Sequence, residues 1–470
     1  MILSTSEVRR LGHEVADLVA DYLEALPDGP VFRPYPRPLR DSLGASPVPA
    51  AGMDVDAILA DFARLVAPYP FGNGHPRFAA WVNPPPHPVG ILAETLAATM
   101  NPSVAGGDHA AVHIEHQVLR WLASMVGLPA GSGGLLVSGG SAATLTALAV
   151  ARHVAAARAG IDVRADGVAG QRFAVYLGEE GHGCARKATE LLGLGSASIR
   201  TVPSDDARRL SPSALRELVA RDRADGVIPV AVMASVGTVN TGAIDPVAQI
   251  ADVCASLGVW LHVDGSYGAP AALLLDSHAE TRAALSRVDS IAMDPHKWLY
   301  APVDAGVVLL RSVAQARETF SLVPAYLRTE GDEPVWFSEY GFDQTRPFRA
   351  LKLWFLLRHL GTDGYRALIA HDIAMADRLA AAVDSADDLE LLAHGLSVVC
   401  LRCRPAGVTD LDGLNRRVLA DIQLGGRAFL AGTTVDGAFA LRACIVNPGT
   451  TEADVDAMVA EVRAALARVR

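Results

Sequence analysis

Hydrophobic and polar positions alternate in blocks through the middle of the chain, between about residues 75 and 311. Short apolar runs with the length and Val/Ile/Leu content of buried strands are separated by Ala-, Arg- and Leu-rich stretches with helical spacing. The runs are GLLVSG, RFAVYLG, VIPVAVMAS, VWLHVDG, SIAMDP and AGVVLLR. Strands that alternate with helices are typical of a parallel sheet with helices on both faces. The pattern therefore predicts an α/β fold built on one large parallel-type sheet.

The two ends of the chain have different patterns. Near the N-terminus, apolar residues recur at helix spacing from Val8 to Leu23, and a second amphipathic helix is predicted from about Asp54 to Leu65. The stretch between them, Pro27 to Pro49, holds seven prolines and is predicted to be extended loop. From about Phe348 a long helix leads into a smaller region whose strand candidates are LELLA, SVVCLRC and FALRACIV. We therefore expect an N-terminal helical segment (1–75), a large α/β domain (76–347) and a small C-terminal α+β domain (348–470).

Composition and charge narrow the class of protein. The chain has 470 residues, half of them hydrophobic and 20% charged, which is typical of a globular protein with a large core. Its net charge of −11 argues against a nucleic-acid partner, which requires a basic surface. No run approaches the ~18 consecutive apolar residues of a membrane span. The N-terminus has no apolar signal-peptide core, so we expect a cytoplasmic protein without a membrane partner.

Two of the predicted strands end in ionisable residues with complementary chemistry. Asp264 ends the run VWLHVD, and Lys297 follows the run SIAM after three intervening residues. The carboxyl ends of parallel strands form a ligand crevice, so both side chains are expected there. A lysine amine can bond covalently to the aldehyde of pyridoxal 5'-phosphate (PLP), and a carboxylate can keep the pyridine nitrogen of that cofactor protonated. Taken singly, a lysine at a strand end is usually a solvated charge, and an aspartate there is usually a helix cap or a turn former.

A glycine-containing turn supplies a candidate phosphate site. Gly139, Gly140 and Ser141 lie between the strand GLLV and a predicted helix. Glycines allow close approach of an anion, and the helix N-terminus offers free N–H groups. A simple helix N-cap explains the same residues, so the turn gains weight from the lysine and aspartate downstream.

The words HVDGSYGAP and SIAMDPHKWLY, in that order, resemble the group II PLP-dependent decarboxylases of the aromatic-L-amino-acid and glutamate decarboxylase type. The resemblance covers nearly the whole chain. It implies a fold-type I (aspartate aminotransferase-like) enzyme with PLP as cofactor. It further implies a homodimer with active sites at the subunit interface, in which the N-terminal helices wrap over the partner.

The same resemblance assigns roles to individual residues. Lys297, Asp264, His182 and Tyr326 are the expected catalytic residues, with His182 stacked on the cofactor ring and Tyr326 as proton donor in a polar segment that resembles a lid. Without the resemblance, His182 is better explained as a loop histidine. The expected cofactor-binding set is Gly139, Gly140, Ser141, His182, Thr238, Asp264, Ser266, His296 and Lys297. His262 either supports Asp264 or fills the core.

Trp81 and Val82 lie in the segment that resembles the family's active-site entrance and are the expected substrate contacts. Aromatic decarboxylases usually have two aromatic residues there, so Val82 is a departure, and Trp81 is equally compatible with a core position. His109 and His113 are four apart but lack a carboxylate or third ligand at metal spacing, so no metal site is expected.

These observations favour PLP-dependent decarboxylation of an L-amino acid, aromatic or otherwise hydrophobic, to an amine and CO₂. Two alternatives remain at this point. One is a decarboxylation-dependent aldehyde synthase or another fold-type I lyase. The other is a non-catalytic homologue that acts as a binding partner.

Overall fold

The structure, a computed structural model, describes residues 3–168, 170–322 and 336–470. It divides into two compact units. The large unit comprises Pro86–Ile373 and His394–Val398, and the small unit comprises the residues up to Pro85 together with Ala374–Ala393 and Val399–Arg470. The division into segments 1–75, 76–347 and 348–470 stays a prediction.

The helices and strands are numbered in chain order. The helices are α1 (Thr5–Ala25), α2 (Arg37–Ala45), α3 (Val55–Leu65), α4 (Pro88–Met100), α5 (Ala110–Val126), α6 (Gly140–Arg158), α7 (Cys184–Leu191), α8 (Pro212–Ala224), α9 (Val247–Leu257), α10 (Ala269–Leu274), α11 (Ala279–Leu285), α12 (Val313–Phe320), α13 (Ala350–Asp384), α14 (Leu411–Gly425) and α15 (Glu452–Val469). The strands are β1 (Phe78–Ala79), β2 (Gly133–Val137), β3 (Phe173–Gly178), β4 (Ile199–Val202), β5 (Ile228–Ser235), β6 (Trp260–Asp264), β7 (Ser290–Met293), β8 (Gly306–Leu310), β9 (Leu389–Gly395), β10 (Val398–Cys403), β11 (Phe429–Val435) and β12 (Ala438–Cys444).

A seven-stranded sheet in the order β2-β8-β7-β6-β5-β3-β4 forms the centre of the large unit. All neighbours are parallel except at β8, which runs antiparallel to β2 and β7. Ser235 of β5 pairs with Asp264 of β6, which pairs with Ala292 of β7. Since these three strands are in register, their carboxyl ends lie at one edge of the sheet. The mixed but mainly parallel sheet confirms the predicted α/β class.

Helix α6 lies in the interior of the large unit. Its buried residues are mostly Ala, Leu and Val and occur on every side, which is typical of an interior helix. It packs against β5, β6, β7 and β8. Its first residue, Gly140, follows β2 after only two residues, so the helix N-terminus lies at the same edge as the ends of β5–β7.

The small unit contains a five-stranded sheet in the order β1-β11-β12-β10-β9. Apolar residues of β10, β11, β12, α14 and α15 form one buried core. A capping box between Thr451 and Asp454 starts α15. The two-residue strand β1 pairs with β11, so the segment before residue 85 belongs to this unit rather than standing apart.

The prediction of extended loop from Pro27 to Pro49 was wrong in part, because helix α2 lies within it. Pro36 is the N-cap and Pro38 occupies the first turn, where a missing N–H is harmless and the fixed φ suits a helix. The next helix agrees with its prediction: α3 starts at Val55, and the Asp54 side chain accepts a hydrogen bond from the amide of Asp56. Among the described residues, the helices lack the combination of length and apolar character needed to cross a membrane.

Candidate active site

A cavity of about 350 Å³ opens at the carboxyl edge of the large sheet. Its walls come from the turn after β2, the loop after β3 and the ends of β5, β6 and β7. The lining residues are Ser138, Gly139, Gly140, Ser141, Ala142, Glu180, His182, Cys184, Ser235, Gly237, Thr238, Val239, Asp264, Ser266, Tyr267, Asp294, His296 and Lys297. The structure therefore places in one cavity all nine residues that the sequence suggested for cofactor binding.

Lys297 is held by a neighbouring carboxylate. Its Nζ lies 3.0 Å from Oδ2 of Asp294, which is only 3% exposed. The other oxygen of Asp294, Oδ1, is buried and has no hydrogen-bond partner in the described part of the chain. The chain has three lysines, all described. Lys187 is exposed and Lys352 is buried in an ion pair with Glu94, so Lys297 alone presents an amine to this cavity.

Asp264 ends β6 in a fixed orientation. Its Oδ1 accepts a hydrogen bond of 3.1 Å from the amide of Ser266, two residues on. A ring nitrogen of His182, the Sγ of Cys184 and a carboxylate oxygen of Asp264 all lie within 4.8 Å of one another. His182 and Cys184 follow β3, whereas Asp264 ends β6. The imidazole of His182 accepts a hydrogen bond from the amide of Cys184 at Nδ1, 3.2 Å away. In neutral His182 the ring proton is therefore on Nε2, which is then a donor.

Cys184 is a buried thiol beside this carboxylate. Burial, and then the negative charge of Asp264, raise the pKa of Cys184 to about 12. Its Sγ lies 3.7 Å from the hydroxyl of Thr144. The thiol is therefore protonated at neutral pH and adds no negative charge beside Asp264.

Gly139 and Gly140 form a turn, called the glycine cradle below, in which a side chain at Gly140 has no room. A Cβ on Gly140 would lie 2.3 Å from Oγ of Ser266 and 3.0 Å from Oδ2 of Asp294. A third glycine presses on this turn from β8: a Cβ on Gly306 would lie 2.4 Å from Cα of Gly139. Because α6 starts here, its first amides have no partner within the helix and are available to an anion.

His296 supplies a neutral donor to the same end of the cavity. Its Nδ1 accepts a hydrogen bond of 3.2 Å from the amide of Ala305, so the ring proton lies on Nε2. Burial lowers the pKa of His296, while the charge of Asp294 opposes that shift. The ring is therefore mostly neutral at pH 7 and able to donate through Nε2, which lies 3.8 Å from Oδ2 of Asp294.

Thr238 is buried, and its hydroxyl stabilises a turn. The Oγ1 accepts a hydrogen bond from the amide of Ala243 and lies 3.0 Å from Oγ1 of Thr241. Gly237 has a φ of 87°, which favours glycine, and fits closely against Tyr267. Thr238 thus shapes the cavity wall, and its direct contact with a cofactor stays a prediction.

The residues fit PLP by chemical type. A lysine amine, a fixed carboxylate, a histidine and a glycine cradle at a helix N-terminus match an aldehyde, a pyridine nitrogen, an aromatic ring and a phosphate. The buried Oδ1 of Asp294 and the crowded position of Gly140 show that the cavity is a built polar site rather than a packing defect.

The structure leaves three predicted residues unassigned. Trp81 and Val82 belong to the small unit, where Trp81 stacks on Phe71 with ring centroids 5.2 Å apart and Val82 is buried. Their role as substrate contacts stays a prediction. Tyr326 lies outside the described residues.

Several cavity residues were not predicted as site residues. Cys184 lies two residues after His182, and Tyr267 stands within the word HVDGSYGAP, so both had a sequence signal. Asp294 stands within the word SIAMDPHKWLY, three residues before Lys297, so it too had a sequence signal. Gly306 does not line the cavity but packs against Gly139, and it had no sequence signal because only tertiary packing reveals that contact.

Comparisons with known proteins agree with this geometry. Residues 38–404 match the family model described as the pyridoxal-dependent decarboxylase conserved domain. The chain is 34% identical to the aromatic-L-amino-acid decarboxylase of Bacillus atrophaeus, with 98% of this chain and 96% of that protein covered. It is 33% identical to the L-2,4-diaminobutyrate decarboxylase of Rhizobium meliloti (strain 1021), with 96% and 91% covered. A crystal structure of Oryza sativa TDC with PLP and tryptamine superimposes with a TM-score of 0.92 at 30% identity and covers 100% of this chain and 99% of that one.

Proposed function

Because the chain belongs to the pyridoxal-dependent decarboxylase family, we propose that Lys297 is the residue that holds its PLP covalently. The observation that carries this proposal is that, of the three lysines, Lys297 is the one that lines the cavity, with its Nζ 3.0 Å from Oδ2 of Asp294. The predicted family, the fold-type I class and the PLP cofactor are confirmed. The protein is a PLP-dependent amino-acid decarboxylase.

PLP, when bound, supplies an electron-withdrawing ring that accepts the electron pair of the broken bond between Cα and the carboxylate. The protein contributes orientation and charge. Asp264, fixed by the amide of Ser266, is proposed to hold the proton of the pyridine nitrogen. The half-buried carboxylate of Asp264 is suited to this, because a charge partner that is partly shielded from water interacts more strongly than one in bulk solvent. His182 is proposed to line the ring face, with its Nε2 proton available to the reacting groups.

The phosphate-binding residues are proposed to be Gly139, Gly140, Ser141 and His296. The free amides at the start of α6 and the neutral His296 donate hydrogen bonds without adding a full positive charge. Asp294 takes no part in this set, since a carboxylate repels a phosphate. Its Oδ2 instead lies 3.0 Å from Nζ and can hold the proton of the Lys297 amine when substrate occupies the site.

The substrate is proposed to be an aromatic or other hydrophobic L-amino acid, with Trp81 and Val82 among its contacts. Support comes from the Bacillus atrophaeus relative, which acts on aromatic L-amino acids by its name. The relative from Rhizobium meliloti is a decarboxylase of L-2,4-diaminobutyrate at almost the same identity, so a polar substrate is the competing candidate. Tyr326 remains the proposed proton donor that favours amine over aldehyde as product.

The protein is further proposed to be a cytoplasmic homodimer. Apolar side chains stay exposed on the N-terminal helices, among them Val8 at 56%, Ile58 at 50% and Phe62 at 44%. Exposed apolar residues at helical spacing are typical of a surface that a partner covers. A second copy of the chain is the proposed partner, as the resemblance implied.

Peptide mapping after borohydride reduction tests the proposal directly. Borohydride fixes PLP to the lysine that holds it, and the three lysines fall at well-separated positions 187, 297 and 352. We expect the label on Lys297, and its loss in Lys297→Ala but not in Lys187→Ala, an exposed control. A label on Lys187 or Lys352 contradicts the assignment.

An amino-acid panel then identifies the reaction. Wild-type holoenzyme is incubated with aromatic, aliphatic and diamino acids, and CO₂, amine, aldehyde and peroxide are measured. We expect equal amounts of amine and CO₂ from an aromatic or hydrophobic L-amino acid. Aldehyde and peroxide in place of amine would instead support an oxidative synthase, and turnover of L-2,4-diaminobutyrate alone would refute the substrate class.

A further inference from the structure

A buried carboxylate outside the cavity holds the residues that follow Lys297. Asp372, in the C-terminal half of α13, is fully buried. Its Oδ2 accepts a hydrogen bond of 2.8 Å from Nε1 of Trp298 and one of 2.7 Å from the hydroxyl of Tyr300. One oxygen atom thus fixes two side chains on either side of Leu299, immediately after the lysine.

The backbone of this turn is constrained as well. The amide of Lys297 donates to the carbonyl of Asp294 at 2.8 Å, and the amide of Tyr300 donates to the carbonyl of Lys297 at 3.1 Å. Tyr300 has a φ of 52°, in a region that a bulky residue adopts only when its surroundings impose it. The hydroxyl of Tyr365 donates to the carbonyl of Leu299 at 3.1 Å. Asp372 therefore bonds to a turn whose conformation is unfavourable without support.

The turn is in contact with the cavity wall. Trp298 stacks on Tyr267, with ring centroids 4.9 Å apart and planes 16° from parallel. Tyr267 lines the cavity, and its hydroxyl lies 2.6 Å from Oγ of Ser397. Movement of Trp298 would therefore displace both the lysine backbone and one wall of the site.

Asp372 is a costly choice of residue if its carboxyl group only stabilises the fold. Burial raises the pKa of Asp372 to about 7, and the hydrogen bonds from Tyr300 and Trp298 oppose that shift. Its second oxygen, Oδ1, is buried without a hydrogen-bond partner in the described part of the chain. A carboxyl group in this setting is unfavourable for stability alone, which points to a requirement for its strong, two-donor acceptor oxygen.

We propose that Asp372 is a positioning residue for Lys297, which acts through Trp298 and Tyr300 to fix the turn that presents the lysine amine to the cofactor. The inference rests on the proposed role of Lys297. Asp372 lies 75 positions from Lys297 in the chain and does not line the cavity.

The test compares four variants of the holoenzyme: Asp372→Leu, Asp372→Asn, Tyr300→Phe and Tyr176→Phe. Tyr176→Phe is the matched control, because the hydroxyl of Tyr176 also donates to a buried aspartate, Asp222, at 2.8 Å, but away from the cavity. Asp372→Asn retains an acceptor oxygen. For each variant, the visible absorbance of bound PLP is titrated with pH, and kcat and KM are measured with the panel's best substrate. Thermal unfolding reports stability separately.

We expect Asp372→Leu and Tyr300→Phe to lower kcat by roughly 10- to 100-fold, the scale of a small misplacement of a reacting group. The pH midpoint of the cofactor absorbance should shift by about 0.5 unit or more, because the surroundings of the lysine amine change. Asp372→Asn should recover most of both properties. Tyr176→Phe should lose stability comparable to Tyr300→Phe while kcat and the absorbance midpoint stay at wild-type values.

If Asp372→Leu does not fold, Tyr300→Phe decides. A Tyr300→Phe enzyme with wild-type kcat and midpoint, or with changes no larger than those of Tyr176→Phe, overturns the inference and leaves Lys297 in place. A borohydride label on another lysine overturns the proposed function and this inference together.

Discussion

Two buried polar side chains, one from each unit, are bonded differently. In the small unit, Asn415 is fully buried and its amide is satisfied: it accepts from the amide of Cys403 at 2.7 Å and donates to the carbonyls of Cys403 and Leu411 at 2.9 and 2.8 Å. In the large unit, Asp294 directly follows β7 and lines the cavity, and one of its oxygens is buried without a partner in the described residues.

The difference separates polar groups that maintain structure from those that serve chemistry. A satisfied buried amide such as Asn415 joins β10 to α14, and nothing more is needed of it. Polar groups that stay unsatisfied around a cavity are expensive, so they are typical of positions where a ligand completes the bonding. The sheet edge of the large unit is therefore the expected site of function, and its substitutions should affect turnover more than stability.

The largest effect that this comparison predicts is at Asp264. Asp264→Ala should lower turnover by about 100-fold or more, since it removes a preorganised charge from the cofactor site. The free energy of unfolding of the cofactor-free protein should change little, because the hydrogen bond that this carboxylate accepts from the backbone amide of Ser266 is a modest contribution to stability. The two quantities are measured by CO₂ release at saturating PLP and by urea unfolding.

Asp245 is the matched control for Asp264. It is buried near the end of β5, and both its oxygens accept backbone amide hydrogen bonds of 2.7 Å, from Leu210 and Ser235. Asp245→Asn should lower the free energy of unfolding by about 1–3 kcal/mol. One of the two backbone amides that donate to Asp245 would then face the side-chain NH₂ group of the asparagine instead of an oxygen. Its turnover per bound PLP should stay near the wild-type value. If the two variants exchange these outcomes, the distinction between structural and functional carboxylates fails.

A smaller effect is expected where packing shapes the phosphate cradle. Gly306→Ala would put a methyl group 2.4 Å from Cα of Gly139, and a backbone atom cannot move aside as a side-chain end can. We expect PLP affinity to fall by about 10-fold, with a loss of ~1–3 kcal/mol in unfolding free energy from overpacking. Affinity is measured by titrating the cofactor-free protein with PLP and following absorbance.

Gly183→Ala serves as the comparison for that substitution. Nothing lies within 4 Å of a Cβ at Gly183, and its φ of −60° suits any residue. PLP affinity and stability should both stay at wild-type values. Equal effects at Gly306 and Gly183 would show that the cradle does not depend on close contact between β8 and Gly139.

The sequence predicted the sheet well because its signals are local. The runs that contain β2, β3, β5, β6, β7 and β8 are continuous apolar segments. Asp264 ends one of them, and Lys297 follows another after three intervening residues. Strand ends and their first loop residues can be predicted without knowing the tertiary packing. The resemblance to a decarboxylase family then supplied the roles of His182 and His296, which periodicity alone does not contain.

The elements that were missed depend on distant contacts or mixed composition. Strand β4 is mostly half-buried or exposed at the edge of its sheet, and β11 contains a glycine and two threonines that weaken its pattern. Helix α2 was hidden by its prolines. Asp372 bonds to Trp298, more than 70 positions away, and Gly306 packs against Gly139, more than 160 positions away. No local sequence pattern indicates either contact.

The smallest predicted effect is a pH dependence that originates at His262. The ring is fully buried, and its Nδ1 lies 2.9 Å from Oγ of Ser290. Burial lowers the pKa of His262 to about 4, against the opposing charge of Asp264. Between pH about 6.5 and 4 the unfolded chain binds a proton that the folded protein does not, so stability is lost as the pH falls through this window. Over the whole window the loss attributable to this ring is at most about 3 kcal/mol.

The measurement is the unfolding free energy of the cofactor-free protein from pH 7 to pH 4 in wild type and in His262→Asn. Other groups titrate in the same range, so the difference between the two proteins isolates the ring. We expect the variant to be less stable than wild type at pH 7, since it loses packing, and the gap to narrow or reverse as the pH falls. His113→Asn, at an exposed histidine, should follow the wild-type curve. A constant gap between wild type and His262→Asn across the window would mean that His262 takes up its proton equally in both states, and burial would not then determine its charge.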